Sequence, residues 1–406
     1  MNDAEILLRR KGHPMNRNRT SRLQHGQWRR RRAAILIIGA LFATSACLLC
    51  ALAVDVGHLA VSRGELQRSA DAAALASAAV MLDVGDLNDQ PDPATVAAHA
   101  RTVAADFALL NPCRGVPLTV DRNENNSPDG DLVLGRYNSE TGEFNPNCTR
   151  YNAAHILVRR DQHRNGPVPL IFGGLLGMPS VNLHREAAAF IENDIRGFHI
   201  PEDSLETSKL LPFSLQIDLW LDRASEALDQ FTHDPGNQNV SSGPDGIFEI
   251  SLFPRRLVPG NFGTVNLGSS ANSAATLRRQ ILHGPNAHDF SYFPDNTIQL
   301  NDDGFLMLNG DTGVTASMRH ELEQIIGEPR IIPLHATVSG QGNNAWFEVV
   351  AFVGITVLDL RLTGALHNRY IQIQPTYTCD ITAIGGGEEG VTSRFVFRPP
   401  RLKDTD

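Results

Sequence analysis

Four consecutive arginines, Arg29 to Arg32, lead directly into twenty-two residues without a formal charge, Ala33 to Val54. As an α-helix at about 1.5 Å per residue, this run is about 33 Å long, enough to cross a hydrocarbon core of roughly 30 Å. No proline interrupts the chain between Ala33 and Leu82, so one helix is expected to leave the apolar run and continue into an alanine-rich amphipathic stretch. Leu52, Leu59, Leu66, Ala73 and Val80 recur every seven residues and share one face of that helix. A cleavable signal peptide is the competing reading, because Ala51-Leu52-Ala53 resembles a small-residue cleavage site. The long basic arm and an apolar run well beyond the roughly 7 to 15 residues of a signal sequence favour a retained anchor instead.

Charge divides at the same place. Residues 1 to 32 hold ten Lys or Arg and two acidic residues, a net +8, so the rest of the chain carries −17 of the total −9. Positive charge beside a span stays in the cytoplasm, which predicts a cytoplasmic N-terminus and an exported portion from residue 55 to 406. The acidic exported portion argues against nucleic acid as a partner, and the basic arm suits a topology signal touching anionic lipid.

Beyond the span, Arg63, Glu65, Arg68 and Asp71 mark a polar side of the helix. Leu59, Leu66, Ala70, Ala73 and Ser77 cluster at three-, four- and seven-residue spacings on the other side and form a candidate helix-docking face. Alanine is also simply the best helix former, and both readings of the small residues stand. A stripe of leucine and small residues would be costly to leave wet.

The expected organisation is α+β: a basic cytoplasmic arm (1–32), a transmembrane helix (33–54), its extension (55–82), an exported α+β domain (83–195) and an exported β-rich domain (196–406). Val84 to Pro93 reads as a loop and Ala94 to Leu110 as a helix. Asp131–Tyr137, Ala153–Arg159 and Val181–Ile191 read as strands, and Pro169–Gly177 as a short apolar segment. Residues 192 to 212 mix charge, proline and serine, as a linker would. Helices are expected over Ser273–His283 and Ala316–Ile326, and strands over Arg330–Val338, Trp346–Leu360 and Tyr370–Thr378, the second bending at Gly354.

No assembled active site or cofactor site is legible. His320-Glu321 lacks the second zinc-binding His, since Gln324 stands in its place. Gly340-x-Gly342-x-x-Ala345 is followed by β-forming residues, so it reads as a hairpin connection rather than a dinucleotide fingerprint. Asp121, Asn123, Asn125, Asp129 and Asp131 form an oxygen-rich cluster, but Asn126 and Leu132 occupy the places where a calcium loop needs Gly and Glu. Cys47 and Cys50 lie in the span as small apolar residues. Cys113 and Cys148 flank a polar stretch and form a candidate disulfide, with the thiol pair as the open alternative and Cys379 left over.

The stretch Ala53 to Leu82, AVDVGHLAVSRGELQRSADAAALASAAVML, closely resembles the N-terminal signature of the TadG-like proteins of Flp (tight-adherence) pilus assembly. Val54, Asp55, Gly57, Leu66, Gln67 and the run Asp71 to Ala76 carry the likeness. It extends more weakly through Val133 to Phe190, and more loosely through residues 196 to 406. The resemblance implies a non-enzymatic, single-pass component of the bacterial inner membrane with periplasmic domains. Its implied partners are other Tad/Flp pilus-assembly membrane proteins or pseudopilins, besides the lipid bilayer itself. Asp311-Thr-Gly-Val-Thr is not the D-x-S-x-S of a von Willebrand A-type metal site, and Gly39 is followed five residues later by Thr44 rather than the Glu of a processed prepilin. The likeness therefore implies an unprocessed assembly component rather than a polymerising pilin. A membrane-tethered binding protein unrelated to pili, or an extracytoplasmic enzyme, are the alternatives.

Overall fold

The computed structural model describes residues 18–81, 92–139, 141–252, 261–268, 273–312, 316–340, 342–365, 368–386 and 392–403, with side chains of the first helix from Ile35 onward. The chain partitions into two compact units, residues 1–62 with 167–182 and residues 63–166 with 183–406. Helix α1 (Asn18–Ala79) contributes to both. Its part from Ile35 is apolar and long enough to cross a membrane, and none of the most apolar window is buried by protein. The side chains of Ile35, Leu36, Leu41, Phe42 and Leu49 all point outward, as lipid-facing residues do. The expected basic arm lies outside the described residues as far as residue 17, and the expected loop at 84–93 does so up to residue 91.

The first unit pairs the early part of α1 with a hairpin. Val168–Pro169 runs antiparallel to Ser180–Val181, and the residues between them close a 3₁₀ turn at Gly173–Leu176. Gly177 ends that turn at φ 78°, a conformation that glycine adopts without steric cost.

In the second unit, helix α2 (Pro93–Leu110) starts where sequence chemistry places it. The Asp92 carboxylate accepts the N–H groups of Ala94 and Thr95, and Pro93 occupies the first turn, where no N–H is needed. Val96, Ala97, Ala100, Ala104 and Ala108 are buried at helical spacing. Strands β1 (Leu132–Tyr137), β2 (Ala153–Arg160) and β3 (Leu183–Glu192) then form an antiparallel sheet, with Leu132 opposite Ile156 and His155 opposite Ala188.

Strands β4 (Phe213–Gln216), β5 (Phe262–Val265), β6 (Leu306–Asp311), β7 (Pro329–Ser339) and β8 (Ala345–Arg361) close on themselves. β8 pairs with β6, β6 with β5, β5 with β4, β4 with β7, and β7 returns to β8. Only the β4–β7 contact in this ring is parallel. Closure removes free edges from the ring. Helix α3 (Ala274–His283), capped by the Ser273 hydroxyl on Thr276 N–H, places Leu277 and Ile281 in the core with Trp220, Phe213 and Ile355.

Four sequence expectations change here. The segment 192–212 is core rather than linker: it buries Ile195, Phe198, Ile200, Leu210 and Leu211. Strand β9 (Tyr370–Pro375) stops at a proline that cannot donate, and Thr378–Cys379 moves to the other sheet beside β10 (Val396–Leu402). Because β10 pairs with β3, the C-terminal strand completes the sheet begun by residue 132, and the expected division at 195/196 falls within one compact unit. The helix expected over Ala316–Ile326 is a 3₁₀ turn followed by a short α-helix, Arg319–Gln324.

Gly354 lies within the continuous β8, where a Cβ would stand 2.3 Å from Thr376 O and 2.4 Å from Phe395 O. Its reason is close approach of neighbouring chain. Gly354→Val is expected to lower unfolding stability by about 2–4 kcal/mol, measured by denaturant titration, whereas Ala365→Val on the surface should change it little.

Candidate functional site

Asp55 is the first charge after the uncharged run, and in the first unit it is 93% buried, its residue exposure being 7%. Its Oδ1 accepts the N–H of Ile171 at 2.8 Å, and both carboxylate oxygens accept the N–H of Phe172 at 3.1 Å. Two successive amides directed at one carboxylate make a compact anion nest. The same bonds fasten the hairpin to α1 where the apolar run ends. Residues 167 to 182 carry no charge. Ile171, Phe172, Leu175, Leu176 and Met178 are exposed, Leu175 to 80%. The sequence expectation of a short apolar segment found the composition here. It missed the connection to Asp55, which only folding brings together across more than a hundred residues.

The candidate helix-docking face divides between the units. Leu59 is half-buried in the first, while Leu66, Ala70, Ala73 and Ser77 are buried in the second. In the second unit the helix is tied to its own chain. Ser69 Oγ donates to Ala108 O at the end of α2, and Gln67 Nε2 donates to Glu186 O of β3 at 3.1 Å. Glu65 accepts the Arg114 N–H at 2.7 Å. Small residues let backbones approach closely, and here they are covered within the fold. Ala73→Arg should therefore unfold this unit rather than merely weaken partner binding, costing at least about 3 kcal/mol, while Arg68→Ala on the exposed side stays within about 0.5 kcal/mol of wild type. Circular dichroism melts of the detergent-solubilised protein measure both.

The Asp/Asn cluster proves to be a built-in ion network. Asp131 is almost fully buried, paired with Arg159 and, at 2.8 Å, with Arg164 Nε, and it also accepts the Asp121 N–H. Asn123 and Asn126 donate to the carbonyls of Leu132 and Leu134, stitching the loop to β1. Among the described residues no group of three or more His, Cys, Asp or Glu is placed to hold a metal ion. Asp131→Ala takes this carboxylate from Arg159 and leaves Arg164 with Asp121 alone, and is expected to cost on the order of 2–3 kcal/mol in denaturant unfolding.

Cys113 is buried beside Arg160 and Glu65, and Cys148 is half-buried. Burial pushes the Cys113 thiol up, against the attraction of Arg160, so it stays protonated near neutral pH. Iodoacetamide should therefore label Cys113 far more slowly in folded than in denatured protein, as read by peptide mass spectrometry. His335 and Ser214, with Nδ1 and Oγ 2.8 Å apart, are both fully enclosed, which suits a satisfied core pair rather than a nucleophile reaching substrate. Glu249 is likewise buried, its carboxylate taking the N–H groups of Gln230 and Phe231 and a bond from Gln372. Burial raises its pKa despite those donors.

Residues 61–189 match the family described as Tad-like Flp pilus-assembly. That segment is similar to the Tad/Flp pilus-assembly family. No curated protein and no solved structure matches the chain. The matched segment, about a third of the chain, contains the buried α1 face, α2, the Asp131 network, the exposed hairpin and most of β3.

Proposed function

We propose that the protein is a TadG-like, non-enzymatic component of Tad/Flp-type pilus assembly or secretion, anchored once in the bacterial inner membrane. The observation that carries this reading is the junction of a bilayer-length uncharged helix with a Tad-like segment beginning at residue 61. The N-terminus is cytoplasmic, retained by Arg29 to Arg32, and residues 55 to 406 are periplasmic. Their acidic surface binds other assembly proteins or pseudopilins. Helix packing against other membrane components falls to the outward-facing residues of α1 between Ile35 and Val54, because the Leu66–Ser77 face is covered within this chain.

Topology and process are tested separately. Alkaline phosphatase fused after Asp406 should be active, and the mature protein should retain peptides upstream of Val54. A mature N-terminus at Val54, or an inactive fusion, overturns the anchored topology. Deleting the gene should abolish Tad/Flp surface fibres, with restoration by the full chain. Normal fibres in the deletion strain would remove the pilus role while leaving the anchor intact.

A further inference from the structure

Building on the membrane-anchored reading, we infer that the hairpin 167–182 is a second membrane contact, resting its Ile171–Met178 tip in the lipid interface where α1 leaves the bilayer. Three observations within the first unit converge on this. Asp55 immediately follows Val54, the last residue of the uncharged run, so its hydrogen bonds to Ile171 and Phe172 hold the hairpin at the end of the span. The hairpin exposes five apolar side chains, Ile171, Phe172, Leu175, Leu176 and Met178, on a stretch without charge. Its backbone is largely self-satisfied: Leu170 N–H donates to Pro179 O, and Met178 N–H to Gly173 O. The more of its polar backbone a segment satisfies internally, the less it loses where its tip reaches the water-poor acyl boundary.

Lipid is the occupant that this chemistry favours. Protein-binding patches set aromatic, Met and Arg anchors within a polar, hydrogen-bonding rim. This tip offers Ile171, Phe172, Leu175, Leu176 and Met178 among three glycines, with no charge and no polar side chain between them. Interfacial elements bury apolar groups about 5–10 Å into the headgroup and acyl boundary. The Asp55 nest also supplies amide donors to a carboxylate that would otherwise lie bare at the membrane boundary.

The test uses the full chain in phosphatidylcholine/phosphatidylglycerol vesicles whose acyl chains carry bromine, a short-range quencher of tryptophan. In a Trp28→Phe, Trp346→Phe background only the buried Trp220 remains as a shared baseline. Leu41→Trp then reports the span and Leu175→Trp the hairpin. Both added tryptophans should be quenched relative to unbrominated vesicles, and Asp55→Ala should reduce quenching at position 175 by about twofold without changing it at position 41. Quenching at position 41 alone overturns the hairpin inference while leaving the span in place. If position 175 is then shielded from acrylamide, a protein surface covers it instead of lipid. Absence of quenching at position 41 removes the span itself, and the inference with it. Unchanged quenching in Asp55→Ala overturns the part assigned to the carboxylate.

Discussion

The fold depends on one constraint: helix α1 carries two unlike apolar surfaces in a single uninterrupted element. From Ile35 to Val54 its large side chains stand outward, which water would not tolerate over such a length but a bilayer would. From Leu66 to Ala78 the surface is made of small residues and is buried by protein. Leucine and isoleucine are thus spent where lipid supplies the contacts, and alanine and serine where a second backbone must come near. Ser69 reaching Ala108 O and Gln67 reaching Glu186 O show how closely the chain folds back onto this helix.

That arrangement reassigns the meaning of the family-like alanine run. A face of Ala70, Ala73 and Ser77 is equally well suited to a neighbouring protein or to the chain's own core, because both require only close approach. Burial decides for the core in the second unit. Buried charge is handled with the same economy. Asp131 receives two arginines from the β2 region, Arg159 and Arg164, and its loop is held by asparagine amides, so a cluster that resembles a cation site by composition carries its cations as side chains. Oxygen-rich spacing alone cannot separate these outcomes, since it counts acceptors and ignores the donors that folding brings to them.

Much of the secondary structure was legible because it rests on local signals. Asp92-Pro93 fixes the start of α2, apolar β-forming runs mark β1 to β3, and Ser273 caps α3. What could not be read was long-range pairing. The return of β10 to β3 joins residues about two hundred positions apart, and nothing in the local pattern of Val396–Leu402 names its partner. The segment 192–212 resembled a linker because its charges and prolines are conspicuous, yet Phe198, Leu210 and Leu211 are buried between them. Its composition reported turns correctly and said little about burial. Likewise Gly354 suggested a bend, while its actual requirement is the nearness of Thr376 and Phe395 carbonyls.

Asp55 shows why the candidate site was only half legible. In sequence it is the residue that ends an uncharged run, and an aspartate at that place is sufficiently explained by the need to return to water. In the fold its carboxylate accepts amides from Ile171 and Phe172, so the end of the apolar helix and an apolar hairpin become one local structure. A Glu, one methylene longer, would displace the acceptor from those amides, and an Asn would present one carbonyl oxygen in place of a charged pair. The geometry therefore accounts for aspartate in particular, and it does so without any catalytic role. An acid whose hydrogen bonds are taken by backbone donors is a fastening point, and what it fastens is the uncharged, outward-facing hairpin that accompanies the helix in the first unit.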